Sequence, residues 1–251
     1  MKTSHIKHIV FLALTLIVSC QPKETSNDSK EIKETEDNSI GTTLTPEQIE
    51  EGWQLLFDGK SMKGWRTYKN MPNNSWEVDK GTLHCLPFDS ADKRADLITE
   101  VQYKDFELQF DWKIGYQGNS GVMFHVTEDF DQPYLTGPEY QLLDDAGYPG
   151  ESSDKNKTGA NFDMQAAENK KMNPTGEWNT SKLVVNGNHV EHWLNDVKVL
   201  SYDIGSDEWE QQKAGCKWRD VDSYGAYPQG YIDLQDHGSE VWFRNIMVRV
   251  L

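Results

Sequence analysis

Residues 106–114 read FELQFDWKI. Phe106, Leu108, Phe110 and Trp112 alternate with Glu107, Gln109, Asp111 and Lys113. Strict period-2 alternation over nine residues puts every apolar side chain on one face of a β-strand and every polar one on the other. One face is meant for a core and one for water, the habit of an antiparallel sheet.

The segments around it keep the same grammar. Trp53–Phe57, Trp76–Val78, Thr82–Leu86, Gly121–Val126, Ser181–Val185, His189–Leu194, Val197–Tyr202, Tyr231–Gln235 and Val241–Val250 all read as strands. Asp58-Gly59-Lys60 marks a turn, and Asp79-Lys80-Gly81 and Asn186-Gly187 mark hairpins, as Asn195-Asp196 marks the next turn. Helical period is scarce. Ser206–Gln212 is one short candidate, and Thr45-Pro46-Glu47 places an N-cap and a first-turn proline before another. Many antiparallel strands and few helices predict an all-β domain, an antiparallel sandwich of the jelly-roll kind, over residues 49–251.

The N-terminal region reads differently. Lys2 and Lys7 precede an apolar run from Ile9 to Val18, too short to span a bilayer. The run ends Ile17-Val18-Ser19-Cys20, the pattern of a bacterial lipobox. Residues 1–19 are thus expected to be a signal peptide, with Cys20 lipidated and residues 20–48 tethering the domain to a membrane. Residues 21–43 carry no aromatic side chain and little to bury. Losing Lys2 and Lys7 takes the net charge from −16 to −18, which argues against nucleic acid as a partner. Cys85 and Cys216 lack metal-type spacing; they are free to pair in an oxidising compartment or to remain thiols.

Residues 137–145, GPEYQLLDD, pose the functional question. Alternation places Glu139 and Gln141 on one face and Tyr140 and Leu142 on the other. A carboxylate buried without a partner costs several kcal/mol. The Glu139 face is therefore solvated surface or the lining of a cleft. Two long irregular stretches, Glu128–Pro138 and Asp145–Gly176, flank this strand, and loops that long in a compact domain often carry function.

Five segments in this order carry a resemblance: WQLLFDGKSMKGW (53–65), GNSGVMFHV (118–126), GPEYQLLDD, PTGEWN (174–179) and LQDHGSEVWFRNIMV (234–248). Together they resemble the 3-keto-disaccharide hydrolase family, whose members cleave 3-keto-glycosides on a concanavalin- or laminarinase-like jelly roll. The resemblance implies a carbohydrate ligand oxidised at C3. Such a sugar has an acidified C2–H; removing that proton gives an enolate that expels the C1 substituent, and water adds to the resulting enone. The route needs a base at C2, stabilisation of charge at O3 and an acid for the leaving oxygen. It does not need a pair of carboxylates, and Gln141 stands where a laminarinase-type strand carries a second glutamate.

On this reading Glu139 is the expected base. Asp233, Gln235 and His237 share a face if their strand stays regular, which makes His237 the second expected catalytic group. Gln141, Gln235, His125, Asp144, Trp178, Asn179 and Arg244 are expected to contact substrate. His125 stands where such proteins often carry an arginine. Glu139, His125 and His237 offer a mixed set for a divalent metal, although the chain has no HExxH spacing. No cofactor is required by the pattern. His189 and His192 fall on opposite faces of their strand and are no pair. Two other readings stay open: a carbohydrate-binding lectin without catalysis, and a conventional glycosidase using Asp144, Asp145 or Asp233 as second acid.

Overall fold

The structure, a computed structural model, describes residues 42–149 and 153–251. The expected signal peptide, Cys20 and all but the end of the tether lie outside the described residues.

Thirteen strands follow one another in the chain: β1 (Trp53–Leu55), β2 (Trp65–Thr67), β3 (Trp76–Asp79), β4 (Thr82–Cys85), β5 (Leu97–Thr99), β6 (Phe106–Ile114), β7 (Asn119–Val126), β8 (Glu139–Leu143), β9 (Asn179–Asn186), β10 (His189–Leu194), β11 (Val197–Asp203), β12 (Tyr231–Leu234) and β13 (Val241–Val250). Two short α-helices, α1 (Pro46–Glu50) and α2 (Asp207–Ala214), begin where the sequence predicts. Thr45 caps α1 in a reciprocal box with Gln48, and the Ser206 side chain accepts from the Trp209 N–H at the start of α2.

The strands form two antiparallel sheets. The larger runs β11-β10-β9-β6-β13-β4-β3, with β1 also paired to β13; the smaller runs β2-β5-β12-β7-β8. The expected antiparallel sandwich is what is found. Phe106, Leu108, Phe110 and Trp112 all point inward and are buried. They meet Val122, Phe124, Tyr140, Leu142, Ile232 and Leu234 from the smaller sheet. Fully burying side chains of this size contributes roughly 1.5–3 kcal/mol each. One buried polar chain ties the layers: Trp112 Nε1 donates to Ser181 Oγ at 2.9 Å, Ser181 Oγ donates to the Tyr140 hydroxyl at 2.9 Å, and that hydroxyl donates to the Trp193 carbonyl at 3.0 Å. These bonds satisfy polar groups that would otherwise be costly in a core.

The β9–β10 hairpin differs by one residue from its expected turn. Asn186 pairs with His189, so the loop is Gly187-Asn188, with positive φ at Gly187. Glycine at the first central position is what a type II′ turn requires. Asn195 and Asp196 both take positive φ, as in a type I′ turn. Cys85 and Cys216 are both buried free thiols.

Two bulges matter for the site. Val126 pairs with Tyr231 and Met123 with Asp233, so Phe124 and His125 together face the single residue Ile232. In β13 the register with β6 shifts between Arg244 and Met247, and Asn245 takes positive φ.

Candidate active site

The outer face of the smaller sheet is not open to water. One half holds an apolar cluster of Tyr68, Ile98, Met123 and Val126. The other half is polar. Pairing sets Asp233 beside Met123, and Met123 beside Glu139; Gly121 pairs with Gln141 and accepts from the Gln235 N–H at 3.0 Å. Loops cover this face. Residues 159–162 pair along the free edge of β8: Gly159 N–H donates to the Gln141 carbonyl, Gln141 N–H to the Ala160 carbonyl, and Phe162 N–H to the Glu139 carbonyl. This covers an edge that would otherwise offer unpaired backbone groups, and it brings Phe162 over the polar half.

Between sheet and loops lies a cavity of about 130 Å³, lined by Asn119, Tyr134, Glu139, Gln141, Phe162, Lys217, Gln235 and His237. The structure thus brings together Glu139, Gln141, Gln235 and His237, as strand parity predicts. Glu139 is only 4 % exposed. Burial pushes its carboxyl up to about 8; the nearby charge of Lys217 and the Gln235 amide oppose the rise, and Asp96 adds to it. Gln141 donates through Nε2 to Asn119 Oδ1 at 3.0 Å. Its Oε1, like that of Gln235, is buried and accepts from no described group. Two idle acceptors in a polar cavity suit a ligand rich in hydroxyl donors.

His237 stands exposed at the mouth. Its backbone is fixed from the other side of the chain. Asp236 turns away from the cavity, takes Arg94 Nε and Nη2 at 2.9 and 2.7 Å and Ser75 Oγ at 2.5 Å, and accepts from the Gly238 N–H at 2.9 Å. A buried carboxylate held by an arginine and two further donors is strongly ordered.

Asp233 is wholly buried beneath the cavity, and neither of its oxygens has a hydrogen-bond partner. Burial first, then Asp96 and Glu139, push its carboxyl well above the usual range. Asp96 is raised to about 7 by burial. Three acids on one dry face cannot all ionise. The cost of burying Glu139 is therefore met by protons held on this face.

The other expected contacts lie elsewhere. His125, expected to contact substrate, does not reach the cavity: the bulge opposite Ile232 turns its ring away. It packs edge-on against Phe106 and Phe124, donates from Nε2 to the Lys104 carbonyl at 2.8 Å, and is 3 % exposed. Burial lowers its pKa, so it is a neutral structural histidine. The metal set of Glu139, His125 and His237 therefore does not assemble. Among the described residues no three His, Cys, Asp or Glu side chains converge to hold a metal.

Arg244 and Trp178 belong to the solvent face of the larger sheet. Arg244 pairs with Asp111 at 3.3 Å and lies 4.0 Å from the Trp178 ring centre; the β13 bulge keeps it among the polar residues of β6. Asn179 is buried and accepts from the Asn173 N–H and from Asn195 Nδ2, both at 2.8 Å. Asp144 accepts from Thr175 Oγ1 at 2.5 Å and from the Gln117 and Gly147 N–H groups at 2.8 and 3.0 Å. It organises loops and does not line the cavity. Strand parity cannot find Tyr134, Phe162 or Lys217, because all three come from irregular segments. The length of loops 128–138 and 145–176 was the only signal for the first two, and nothing marked Lys217.

The model of the 3-keto-alpha-glucoside-1,2-lyase-like domain matches residues 52–249 of the chain. A 3-keto-disaccharide hydrolase of Bacteroides thetaiotaomicron is 31 % identical, with 96 % of each chain covered. Among solved structures, a candidate glycosyl hydrolase of Parabacteroides distasonis is 39 % identical with a TM-score of 0.78, covering 84 % of this chain and 99 % of that one. A second from the same organism is 26 % identical with a TM-score of 0.61, covering 79 % and 99 %.

Proposed function

Because the chain belongs to the 3-keto-alpha-glucoside-1,2-lyase-like family and is a glycoside-cleaving enzyme, we propose that it cleaves 3-keto-disaccharides by elimination across C1–C2 followed by hydration. The observation that carries this reading is the cavity lining. Glu139 is the one carboxylate lining it among the described residues, and amides stand beside it. Ordinary glycosidases flank the scissile bond with two carboxyl groups. Here Asp144 is spent on loop hydrogen bonds, Asp145 pairs with Lys170 at 2.6 Å, and Asp233 lies under the floor.

In the proposed sequence, ionised Glu139 takes the C2 proton and the C2–H electrons form the enolate. The enolate collapses to an enone and expels the C1 oxygen, which takes a proton from a water held by His237 at the mouth. Water then adds to C1 and a proton returns to C2. The acceptor oxygens of Gln141 and Gln235 receive hydroxyl hydrogens of the bound ring. A carboxyl raised to about 8 is a stronger base when ionised than an ordinary glutamate, which suits a carbon acid.

The test is direct. Purified protein should release monosaccharide from a 3-keto-disaccharide such as 3-keto-trehalose, and leave the unoxidised sugar intact. Equal cleavage of both would favour the conventional glycosidase, and binding without cleavage of either would favour the lectin.

Membrane attachment through a lipid on Cys20 is proposed on the lipobox alone. Among the described residues no helix is long and apolar enough to cross a membrane. Cys20→Ser should move the protein from the membrane fraction to the soluble one; unchanged fractionation would remove the lipid anchor.

A further inference from the structure

Among the described residues Lys217 is the one lysine or arginine that lines the cavity, and the reaction outlined above leaves the charge on O3 without a partner. Lys217 follows Cys216, just beyond α2. Its backbone N–H donates to Asp163 Oδ2 at 2.8 Å. Its ammonium lies 4.0 Å from the ring centre of Phe162 and 4.2 Å from that of Trp218. Trp218 is itself fixed, with Nε1 donating to the Phe162 carbonyl at 3.1 Å and its ring stacked on Tyr224 at 4.3 Å. Two aromatic faces thus hold the ammonium at the cavity wall.

Among the described residues Lys217 makes no ion pair within 4 Å, and its ammonium rests against the Phe162 and Trp218 rings instead. The residue as a whole is exposed, like His237, so its charge is solvated in the free protein and its N–H donors are available to a sugar oxygen bound in the cavity it lines. Burial pushes Lys217 below the usual lysine range, and the charges of Glu139 and Asp163 hold it up.

We propose that Lys217 is a further catalytic residue: its ammonium binds the C3 oxygen of the substrate and stabilises the enolate that forms as Glu139 removes the C2 proton. This rests on the reading of Glu139 as base. C2 and C3 are adjacent, and Glu139 and Lys217 line the same cavity, so a ring bound there can present C2 to one and O3 to the other. The C2–H bond breaks, its proton goes to Glu139, a C2–C3 double bond forms, and the electron pair on O3 faces the ammonium. Lys217 neither gains nor loses a proton. An unoxidised sugar develops no negative charge at O3, so Lys217 accelerates only the oxidised substrate. It thereby acts as a specificity determinant through the transition state.

Lys217→Met should lower kcat on a 3-keto-disaccharide by about 10²–10³-fold, with KM changed only a few-fold. Lys217→Arg should keep part of the rate. The pH profile separates this role from a simpler one. If Lys217 only lowers the pKa of Glu139, Lys217→Met shifts the rising limb upward and the full rate returns at high pH. If it stabilises O3, the loss persists on the alkaline plateau. Full recovery there, or an unchanged kcat, overturns the proposal. Borohydride added during turnover should leave Lys217 unmodified; a reduced sugar adduct on it would replace electrostatic stabilisation with an imine. Glu139→Gln is measured alongside: if that variant turns over, the base assignment fails, and Lys217 is then judged on its own kcat loss.

Discussion

Glu139→Gln is expected to be inactive on 3-keto-disaccharides and more heat-stable than the wild type at neutral pH and above. The amide cannot take the C2 proton, and losing a general base costs about 10²–10⁴-fold or more. The stability gain follows from the same burial. Folding raises the Glu139 carboxyl from its ordinary 4.5 to about 8, chiefly by removing it from water. Between those values the folded protein holds a proton that the unfolded chain has released. Wild-type stability is therefore full below the lower value and is lost as pH rises through the window. Glutamine carries no such proton and escapes the loss. A pKa unit corresponds to 1.36 kcal/mol, so with neighbouring acids sharing the effect the gain at pH 7 is on the order of 2–3 kcal/mol. For a domain of this size that means roughly 5–10 °C in Tm. Below the ordinary glutamate range the two proteins should melt together. The variant's stability should still fall with pH, less steeply, because Asp96 and Asp233 keep their own raised values. In the wild type, kcat/KM should rise with pH through about 8 as the base ionises. Melting curves from pH 4 to 9 and one rate profile test both halves. A variant that is inactive yet gains nothing with pH would show that Glu139 is ionised when folded; a variant that turns over would show that it is not the base.

That single residue also shows how far sequence reaches. The alternation of FELQFDWKI determines the sandwich because burial enforces period 2 over a whole strand, and all five of its aromatic and aliphatic residues on the inner face are buried. The same parity in GPEYQLLDD places Glu139 and Gln141 on one face, with Tyr140 and Leu142 in the core. Both strands are regular there, so counting by twos works. It fails where the count is interrupted. His125 would share the face of Met123 and Glu139 if β7 stayed regular; one extra residue opposite Ile232 sends it against Phe106 instead. No local pattern announces that bulge, which is set by pairing with a strand more than a hundred residues away.

Other residues escape for a different reason. Trp178, Asn179 and Arg244 look like sugar-binding residue types, yet which sheet they serve depends on topology. The larger sheet takes β9 and β13, and their polar neighbours Asp111 and Asn195 take up the side chains. Lys217 enters the cavity from a turn after α2, where no periodicity exists to count. Its position depends on the Phe162 and Trp218 rings, a contact between segments that only the folded chain brings together.

Gly121→Ala should cost activity about 10²-fold although it adds a single methyl group. Gly121 lies in β7 opposite Gln141, and its carbonyl accepts from the Gln235 N–H. Its backbone is not in the left-handed region, so alanine is conformationally acceptable there and would reduce the freedom of the unfolded chain. The obstacle is the neighbour. A Cβ on residue 121 would overlap Glu139 Oε1 and stand 2.7 Å from both its Cδ and its Cγ. The missing side chain is thus the seat on which the Glu139 carboxyl rests, between two amides. Alanine must push that carboxyl out, toward buried Asp233 or into the cavity where the sugar belongs. Displacing a base by about an ångström is enough for a loss of this size, so kcat should fall while the protein stays folded. A thermodynamic cycle isolates the cause. Gly121→Ala should lower Tm in the wild-type background and leave it unchanged or slightly raised in Glu139→Ala, where the seat is empty. If the methyl lowers Tm equally in both backgrounds, it clashes with something other than Glu139. If the single variant keeps wild-type kcat, the carboxyl does its work from another position.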